Sequence, residues 1–186
     1  MDFDTILEDC KAKMAKCAEF LEQELKGLRT GRASAGLVET VRVDYYGTMT
    51  PLSQMAQIST PDAKTIAIKP YDASAIKDIE KAIQASNIGI TPSNDGKVIR
   101  LSVPALTEES RKQLVSKVKE LAEAQRVAIR NVRRDANKAA DAAKKEGVLS
   151  EDDHRRLTTA IQDATKAAEG EVDRIFAAKS KEIMEV

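Results

Sequence analysis

Residues 104–147 read PALTEESRKQLVSKVKELAEAQRVAIRNVRRDANKAADAAKKEG, and the architecture of the chain follows from this segment. It holds no proline or glycine between its two ends. Thr107 can cap a helix ahead of Glu108 and Glu109, whose charges suit the positive end of a helix. The pattern predicts one helix of about 39 residues, or about 58 Å at about 1.5 Å per residue. A helix of this length needs packing partners along it.

The two sides of the predicted helix differ in character. Apolar or small residues recur every three or four positions on one side, as they do where a helix faces a core. They are Leu114, Val118, Leu121, Gln125, Ala128, Val132, Ala136 and Ala139. Basic residues fall within about 100° of one another on the opposite side, which predicts that one side packs and the other binds. They are Lys112, Lys119, Arg126, Arg130, Arg133, Arg134 and Lys144.

The clearest functional signal is the segment 126–137, which holds four arginines within nine positions. A solvated helix face is the alternative interpretation, and Asp135 could simply pair with a neighbouring arginine. Solvation is usually served by Lys and Glu, whereas planar guanidinium groups fit phosphate oxygens and guanine edges. The residues therefore favour RNA or another polyanion as the ligand of this face.

Charge is distributed unevenly, although the 186-residue chain has 30 basic and 30 acidic residues and no formal net charge. Residues 105–146 carry 11 basic and 7 acidic residues, a net charge of 11 − 7 = +4. This concentration supports a polyanionic partner for the long helix. Aromatic residues make up only 3% and tryptophan is absent, so phosphate and groove contacts, rather than base stacking, would have to carry RNA binding.

The composition argues against several other classes of protein. No apolar run approaches the length of about 18 residues that a membrane-spanning helix needs, and no signal sequence is evident, so we expect a cytoplasmic protein. His154 is the only histidine, and the sequence lacks metal-ligand spacing, a phosphate-binding loop and a G-x-S-x-G elbow. We therefore expect no enzyme, no metal and no cofactor.

Cys10 and Cys17 lie two helical turns apart, about 10 Å, which predicts buried thiols rather than a disulfide.

Two further amphipathic helices are predicted. Residues 2–28 have a helical apolar period, and Thr30 with Gly31 supplies a stop. The apolar positions are Phe3, Leu7, Cys10, Met14, Cys17, Leu21 and Leu28, with Ile6, Phe20 and Leu25 widening the stripe. Ser150 can cap a third helix, and three amphipathic helices predict an antiparallel bundle. The core-facing residues of the third helix are Leu157, Ile161, Ala164, Ala168, Val172 and Ile175.

Residues 32–104 follow other periods and predict a small β/α/β domain. Strand-like alternation covers residues 41–45, 64–69 and 98–103. Residues 73–86 have a helical period, with Asp72 as the N-cap. Residues 52–58 fit either a short strand or a helical turn. A hairpin turn at residues 91–96 precedes the last strand.

The order of these elements predicts an α+β chain of two domains. A three-helix-bundle domain is discontinuous and comprises residues 1–30 plus 105–186. The inserted β/α/β domain comprises residues 31–104, and the two short segments that join the domains form a hinge. The predicted hinge residues are Thr30, Gly31, Arg32, Ala33, Val103, Pro104, Ala105 and Leu106.

Three parts of the chain resemble the bacterial ribosome recycling factors. These parts are LRTGRAS at residues 28–34 followed by YYGT at 45–48, PALTEE at 104–109, and RNVRRDAN at 130–137. The resemblance extends over the whole chain in length and order, and the last part is the most specific. It implies an elongated antiparallel three-helix bundle with an inserted β/α/β domain, hinged and with the L shape of a transfer RNA.

By this resemblance the protein is a non-enzymatic factor of protein biosynthesis. Together with elongation factor G and GTP hydrolysis, it would split the post-termination ribosome into subunits and release messenger and transfer RNA. It would act as a monomer on large-subunit ribosomal RNA near an intersubunit bridge, and neither a membrane nor DNA would be a partner. The candidate ribosomal RNA-binding residues are Arg29, Arg32, Arg111, Arg126, Arg130, Asn131, Arg133 and Arg134.

A second interpretation is a coiled-coil adaptor or a chaperone-like protein-binding module with no ribosome role. In that case the arginines of the long helix would be solvated or would pair with acidic residues of a protein partner. Salt-sensitive cosedimentation with ribosomes distinguishes the two interpretations, because contacts to RNA phosphates release counterions.

Overall fold

Helices and short strands make up the computed structural model, which describes residues 1–185. The helices are α1 Phe3–Lys26, α2 Leu52–Met55, α3 Ile76–Ala85, α4 Glu108–Lys145 and α5 Glu151–Met184. The strands are β1 Arg42–Tyr45, β2 Thr48–Pro51, β3 Ala56–Asp62, β4 Thr65–Pro70, β5 Pro92–Asn94 and β6 Ile99–Ser102. None of the helices in this part of the chain is long and apolar enough to span a lipid bilayer. The content confirms the predicted α+β class.

The predicted long helix is present as α4, and its ends have the expected chemistry. The backbone N–H of Ser110 donates to Oγ1 of Thr107 at 3.2 Å, so Thr107 caps the helix as predicted. Gly147 follows the last turn with a φ of +75°, a left-handed conformation that favours glycine. The helix is thus set by local signals at both ends.

The chain divides into two compact units. The first comprises Met1–Leu25 and Val115–Lys181, and the second comprises Lys26–Leu114 together with residues 182–185. The predicted domain boundaries, after residues 30 and 104, lie several residues away from these divisions. The domain assignment therefore stays a prediction.

In the first unit, α1, α4 and α5 form the predicted three-helix bundle. The helix directions are shown by four cross-helix contacts: Arg126–Asp173, Lys144–Glu151, Phe3–Arg156 and Glu22–Arg174. Later residues of α4 meet earlier residues of α5, so these two helices are antiparallel. Later residues of α1 meet later residues of α5, so α1 and α5 run in the same direction and α4 runs against both.

The buried residues of α4 differ from the predicted core-facing stripe. Val118 and Ala136 are buried as predicted, but Leu121 and Ala128 are only partly buried. The other buried positions are Ala122, Ile129, Ala140 and Ala143. The stripe is rotated from the predicted line because α4 packs against two neighbours, and its most buried line faces the gap between them.

The expectation that Phe20 widens the core-facing stripe of α1 is wrong, because its side chain is 52% exposed. Met14, Leu21 and Leu25 form the buried line of this helix together with Cys10. Phe20 lies about 100° from Leu21 around the helix and therefore points away from that line.

The second unit is built on a four-stranded antiparallel sheet in the order β3-β4-β6-β5 and on a separate β1–β2 hairpin. On the central strands, Ile66 is opposite Leu101 and Ile68 is opposite Ile99, and all four side chains are fully buried. The buried core of this unit also includes Ile79 of α3. The alternating apolar residues of β4 and β6 and the apolar face of α3 thus pack in one core, as the sequence predicts.

The segment 52–58 contains both of the structures that its sequence left open. Residues Leu52–Met55 form the single helical turn α2, and strand β3 starts at Ala56. Leu52 and Met55 are buried, so the turn contributes to the same core before the strand begins.

Candidate RNA-binding interface

Arg126 lies where α4 meets α5, and its guanidinium binds carboxylates. Nε and Nη2 both donate to Oδ1 of Asp173 on α5, Nε at 3.1 Å, and Nη1 donates to Oε2 of Glu123 at 2.9 Å. Only 19% of the Arg126 side chain is exposed. The hydrogen bonds that Arg126 donates to Asp173 are the main cause of its raised pKa. The donors of Arg126 are therefore engaged within the bundle.

Arg130 lies one turn further along α4, and its contacts are longer. Its Nε is 3.4 Å from Oε1 of Glu169 on α5, and its Nη1 is 3.8 Å from Oε1 of Glu123. Its side chain is 47% exposed. Because charge-assisted hydrogen bonds are usually shorter than these contacts, an RNA phosphate oxygen could replace either carboxylate.

Arg133 and Arg134 have no carboxylate partner among residues 1–185. Nη1 of Arg133 donates to the amide oxygen of Gln162 on α5 at 3.4 Å. Arg134 is exposed, as is Asn131. Asp135, which could have paired with an arginine, instead lies 3.9 Å from Nζ of Lys138. Both guanidinium groups thus keep donors available for an external anion.

The basic stripe predicted for α4 consequently has two parts. Arg126 and Arg130, which we call the paired arginines, contact carboxylates of the bundle. Arg133 and Arg134, which we call the unpaired arginines, do not do so within the described part of the chain. Sequence periodicity places all four on one side, and the structure separates them by their partners.

Sequence reasoning missed the residues of α5 that hold these arginines. Gln162, Glu169 and Asp173 look like ordinary solvated residues of an amphipathic helix. Their spacings of seven and four positions nevertheless place them on one face of α5, and the arginines they contact are spaced four and three positions apart on α4. A comparison of the polar face of α5 with the arginine face of α4, aligned as antiparallel helices, is the signal that could have identified these three residues. Glu123 was visible only as an interruption of the basic stripe.

Three more candidate residues lie in the second unit. Arg32 is exposed, whereas Arg29 and Arg111 are partly buried. The Nε atoms of Arg29 and Arg111 are both enclosed and have no acceptor among the described residues. An enclosed donor without an acceptor costs about 1–3 kcal/mol, and more when it is charged.

The predicted hinge residues include both anchored and exposed positions. The backbone N–H groups of Ala33 and Val103 donate to carbonyls in the turn between β3 and β4, at 2.8 and 2.7 Å. Thr30 is buried and its hydroxyl donates to Oε1 of Glu182 at 3.2 Å, while Gly31 has a φ of +82°. Arg32, Pro104 and Ala105 are exposed, and Leu106 is partly buried.

The remaining reactive side chains take part in helix pairing and packing. Nε2 of His154 on α5 lies 2.7 Å from Oδ1 of Asp141 on α4. Within residues 1–185, no group of three or more His, Cys, Asp and Glu side chains is arranged to hold a metal ion. Cys10 is buried and Cys17 partly buried, and burial raises the pKa of both thiols.

Comparison with known proteins extends these observations. A family model described as Ribosome recycling factor matches residues 21–184. A ribosome-recycling factor of Desulfosudis oleivorans is 48% identical over 98% of this chain and 99% of the relative. A ribosome-recycling factor of Geobacillus kaustophilus is 49% identical over 97% of this chain and 98% of the relative.

Solved structures agree with the sequence matches. A solution structure of the ribosome recycling factor has a TM-score of 0.82 and 38% identity, and the match covers 100% of this chain and 99% of that chain. A second structure describes the T. thermophilus ribosome recycling factor and the E. coli elongation factor G bound to the E. coli post-termination complex. It has a TM-score of 0.71 and 41% identity, over 98% of this chain and 99% of that chain. Motifs, fold and sequence identity agree along nearly the whole chain, which belongs to the ribosome recycling factor family.

Proposed function

We propose that this protein recycles ribosomes after translation termination. It binds the post-termination ribosome and, with elongation factor G and GTP, promotes separation of the subunits and release of messenger and transfer RNA. The observation that carries the proposal is the cluster of four arginines on α4, two of them without carboxylate partners in residues 1–185, in a member of this family. The similar structure on the post-termination complex supports it.

Large-subunit ribosomal RNA is the proposed ligand of this surface. Arg133 and Arg134 present guanidinium groups without carboxylate partners to phosphate oxygens, and Arg130 exchanges its long carboxylate contacts for RNA. Arg29 and Arg111 would bind the same ligand through their other guanidinium nitrogens, since the Nε of each is enclosed. The proposed RNA-binding residues are Arg29, Arg32, Arg111, Arg130, Asn131, Arg133 and Arg134, and Arg126 lies beside them on α4.

Movement at the two crossing segments, 30–33 and 103–106, is the proposed mechanical step. Because Ala33 and Val103 are fixed to the β3–β4 turn by backbone hydrogen bonds, we expect bending before Ala33 and after Val103. Elongation factor G would push the inserted domain, and the bundle would transmit the force to an intersubunit bridge. Residual dipolar couplings that fit one rigid body in solution would contradict this step.

The chemistry proposed for this chain is binding and not catalysis. GTP hydrolysis belongs to elongation factor G, and the protein works in the cytoplasm as a monomer, without a cofactor. The coiled-coil adaptor interpretation has no observation in its favour, since the chain matches the recycling factors over nearly its whole length.

Light scattering of purified ribosomes tests the function directly. With elongation factor G and GTP present, adding the protein to post-termination ribosomes is expected to lower the scattering as subunits separate. Omission of either component is expected to abolish the change. Unchanged scattering in the complete mixture, with a protein that has its normal circular-dichroism spectrum, would overturn the proposal.

A further inference from the structure

We infer that Arg126 is a positioning residue, which ties α4 to α5 and holds the neighbouring arginines in place, and that it makes no phosphate contact itself. The inference rests on the proposed function, because it concerns how the same surface binds RNA. It changes the role of one arginine that sequence alone groups with the others.

The donors of Arg126 are the first argument. Nε and Nη2 donate to Asp173 and Nη1 donates to Glu123, so all three guanidinium nitrogens already have anionic partners. At 19% exposure, this side chain is also much less accessible than that of Arg130 at 47%. A phosphate would have to displace two carboxylates from an enclosed guanidinium, which opposes direct binding.

The position of Glu123 is the second argument. Its two carboxylate oxygens face different arginines, Oε2 facing Arg126 and Oε1 facing Arg130. Arg126 therefore holds the carboxylate that limits the movement of Arg130. Because an arginine loses rotamer entropy when it is ordered, holding Arg130 before RNA arrives lowers the entropic cost of binding.

The geometry of the two helices is the third argument. The pairs Arg126–Asp173, Arg130–Glu169 and Arg133–Gln162 follow one another along the α4–α5 contact. The first pair has the most hydrogen bonds and the last has one, at 3.4 Å. Of these three pairs, the one at Arg126 is therefore the firmest α4–α5 contact, and the Arg133 end is left for the ligand.

Ribosome affinity measured over a range of KCl concentrations tests the inference. The slope of log affinity against log salt reports how many phosphates the protein neutralises, at about 0.7–0.9 per contact. We expect Arg133→Gln to reduce the slope by about this amount. We expect Arg126→Gln to weaken binding by about 3- to 5-fold with the slope unchanged, because the number of phosphate contacts stays the same.

The acidic partners give a sharper test, since simple charge repulsion predicts the opposite result. Removing a negative charge near RNA strengthens binding if the arginines act independently. We expect Asp173→Asn and Glu123→Gln to weaken binding instead, by about the same 3- to 5-fold factor with an unchanged slope. Asp163→Asn is the matched control, because Asp163 is an acidic residue of α5 with no ion pair in residues 1–185, about 100° from Gln162 around the helix.

The outcomes separate this inference from the proposed function. A slope change for Arg126→Gln equal to that for Arg133→Gln, unchanged affinity for Arg126→Gln, or tighter binding by Asp173→Asn would each overturn the positioning role and leave ribosome binding intact. Failure of the wild-type protein to bind ribosomes at any salt concentration would overturn both. If Arg126→Gln does not fold, the Asp173→Asn and Glu123→Gln results decide alone.

Discussion

The paired arginines and the unpaired arginines share one helix and one residue type, yet their surroundings differ. Arg126 is largely enclosed and bound to two carboxylates, and Arg130 has longer contacts to two more oxygens. Arg133 meets only an amide oxygen, and Arg134 is exposed. Contacts to carboxylates therefore weaken and then disappear along two turns of α4, while Arg133 itself remains partly buried.

This difference teaches that a cluster of like charges on one helix is not a uniform binding site. Ion pairs near a protein surface contribute only about 0–1 kcal/mol each, so the paired arginines add little to the stability of the fold. Their role is to position side chains, because they connect α4 to α5 and keep a neighbouring side chain in place. The unpaired arginines depend on that order without supplying it.

The largest effect is expected from an insertion that moves every arginine of the cluster. One alanine added after Gln125 rotates the following residues by about 100° relative to the preceding turns. We expect at least about 100-fold weaker ribosome binding, because two charged hydrogen bonds contribute about 1.5 kcal/mol each. Cosedimentation at low salt measures the loss. One alanine added after Gly147, in the loop before α5, is the matched control and should bind normally; equal loss by both insertions would contradict the expectation.

A smaller loss is expected when one unpaired arginine is neutralised. Arg133→Gln removes one proposed charged contact to RNA, so we expect about 10-fold weaker ribosome binding. The free energy of unfolding should change by less than about 0.5 kcal/mol, since the only bond lost within the bundle is the 3.4 Å contact to Gln162. Ribosome cosedimentation and a circular-dichroism melt measure the two quantities. Lys138→Gln is the control for the loss of charge alone. A large fall in the melting temperature of either variant would contradict the expected difference between paired and unpaired arginines.

The opposite pattern is expected for a paired arginine. Arg126→Gln removes the bonds to Asp173 and Glu123, and a loss of about 1 kcal/mol corresponds to a fall of about 2–4 °C in melting temperature for a chain of this size. Asp173→Asn should lower the melting temperature by a similar amount. The melting temperature of the double variant should fall by less than the sum of the two single-variant decreases, and by about as much as in either single variant. The reason is that both changes remove the same interaction. Strictly additive effects would show that the two side chains do not act together.

The smallest effect concerns another α4–α5 pair, Lys144 and Glu151, whose charges lie 2.8 Å apart. The hydrogen bond from Lys144 lowers the pKa of Glu151 below its ordinary value of 4.5. A carboxylate with a lowered folded-state pKa stabilises the protein above the unfolded value, and this stability is lost as the pH falls through the folded value. Melting temperatures measured from pH 6 to pH 3 should therefore decrease below about pH 4.5, and slightly less steeply in Glu151→Gln. If the melting temperature decreased equally steeply with falling pH in both proteins, this pair would not contribute to the acid sensitivity of the fold.

Much of the fold could be predicted because its signals are local. The N-cap at Thr107, the glycine at 147 and the alternation of isoleucines on β4 and β6 each lie within a few residues of the feature they specify. The structure corrects two packing expectations. Phe20 is exposed, and the buried line of α4 passes through Ala122 and Ile129. Both errors arise because helical periodicity identifies an apolar side but not the angle at which two neighbouring helices meet it.

Residue type and spacing along the chain are enough to predict the helices, the mixed α+β class, the basic stripe of α4 and the family resemblance. Which arginines are paired is known only from the folded arrangement of the helices. Asp173 lies 47 positions from Arg126 in the sequence, and Gln162 lies 29 positions from Arg133. Whether a carboxylate or an amide stands opposite a given arginine depends on the register between α4 and α5. That register is set by the packing of buried side chains in the bundle core, which no local pattern of charges records.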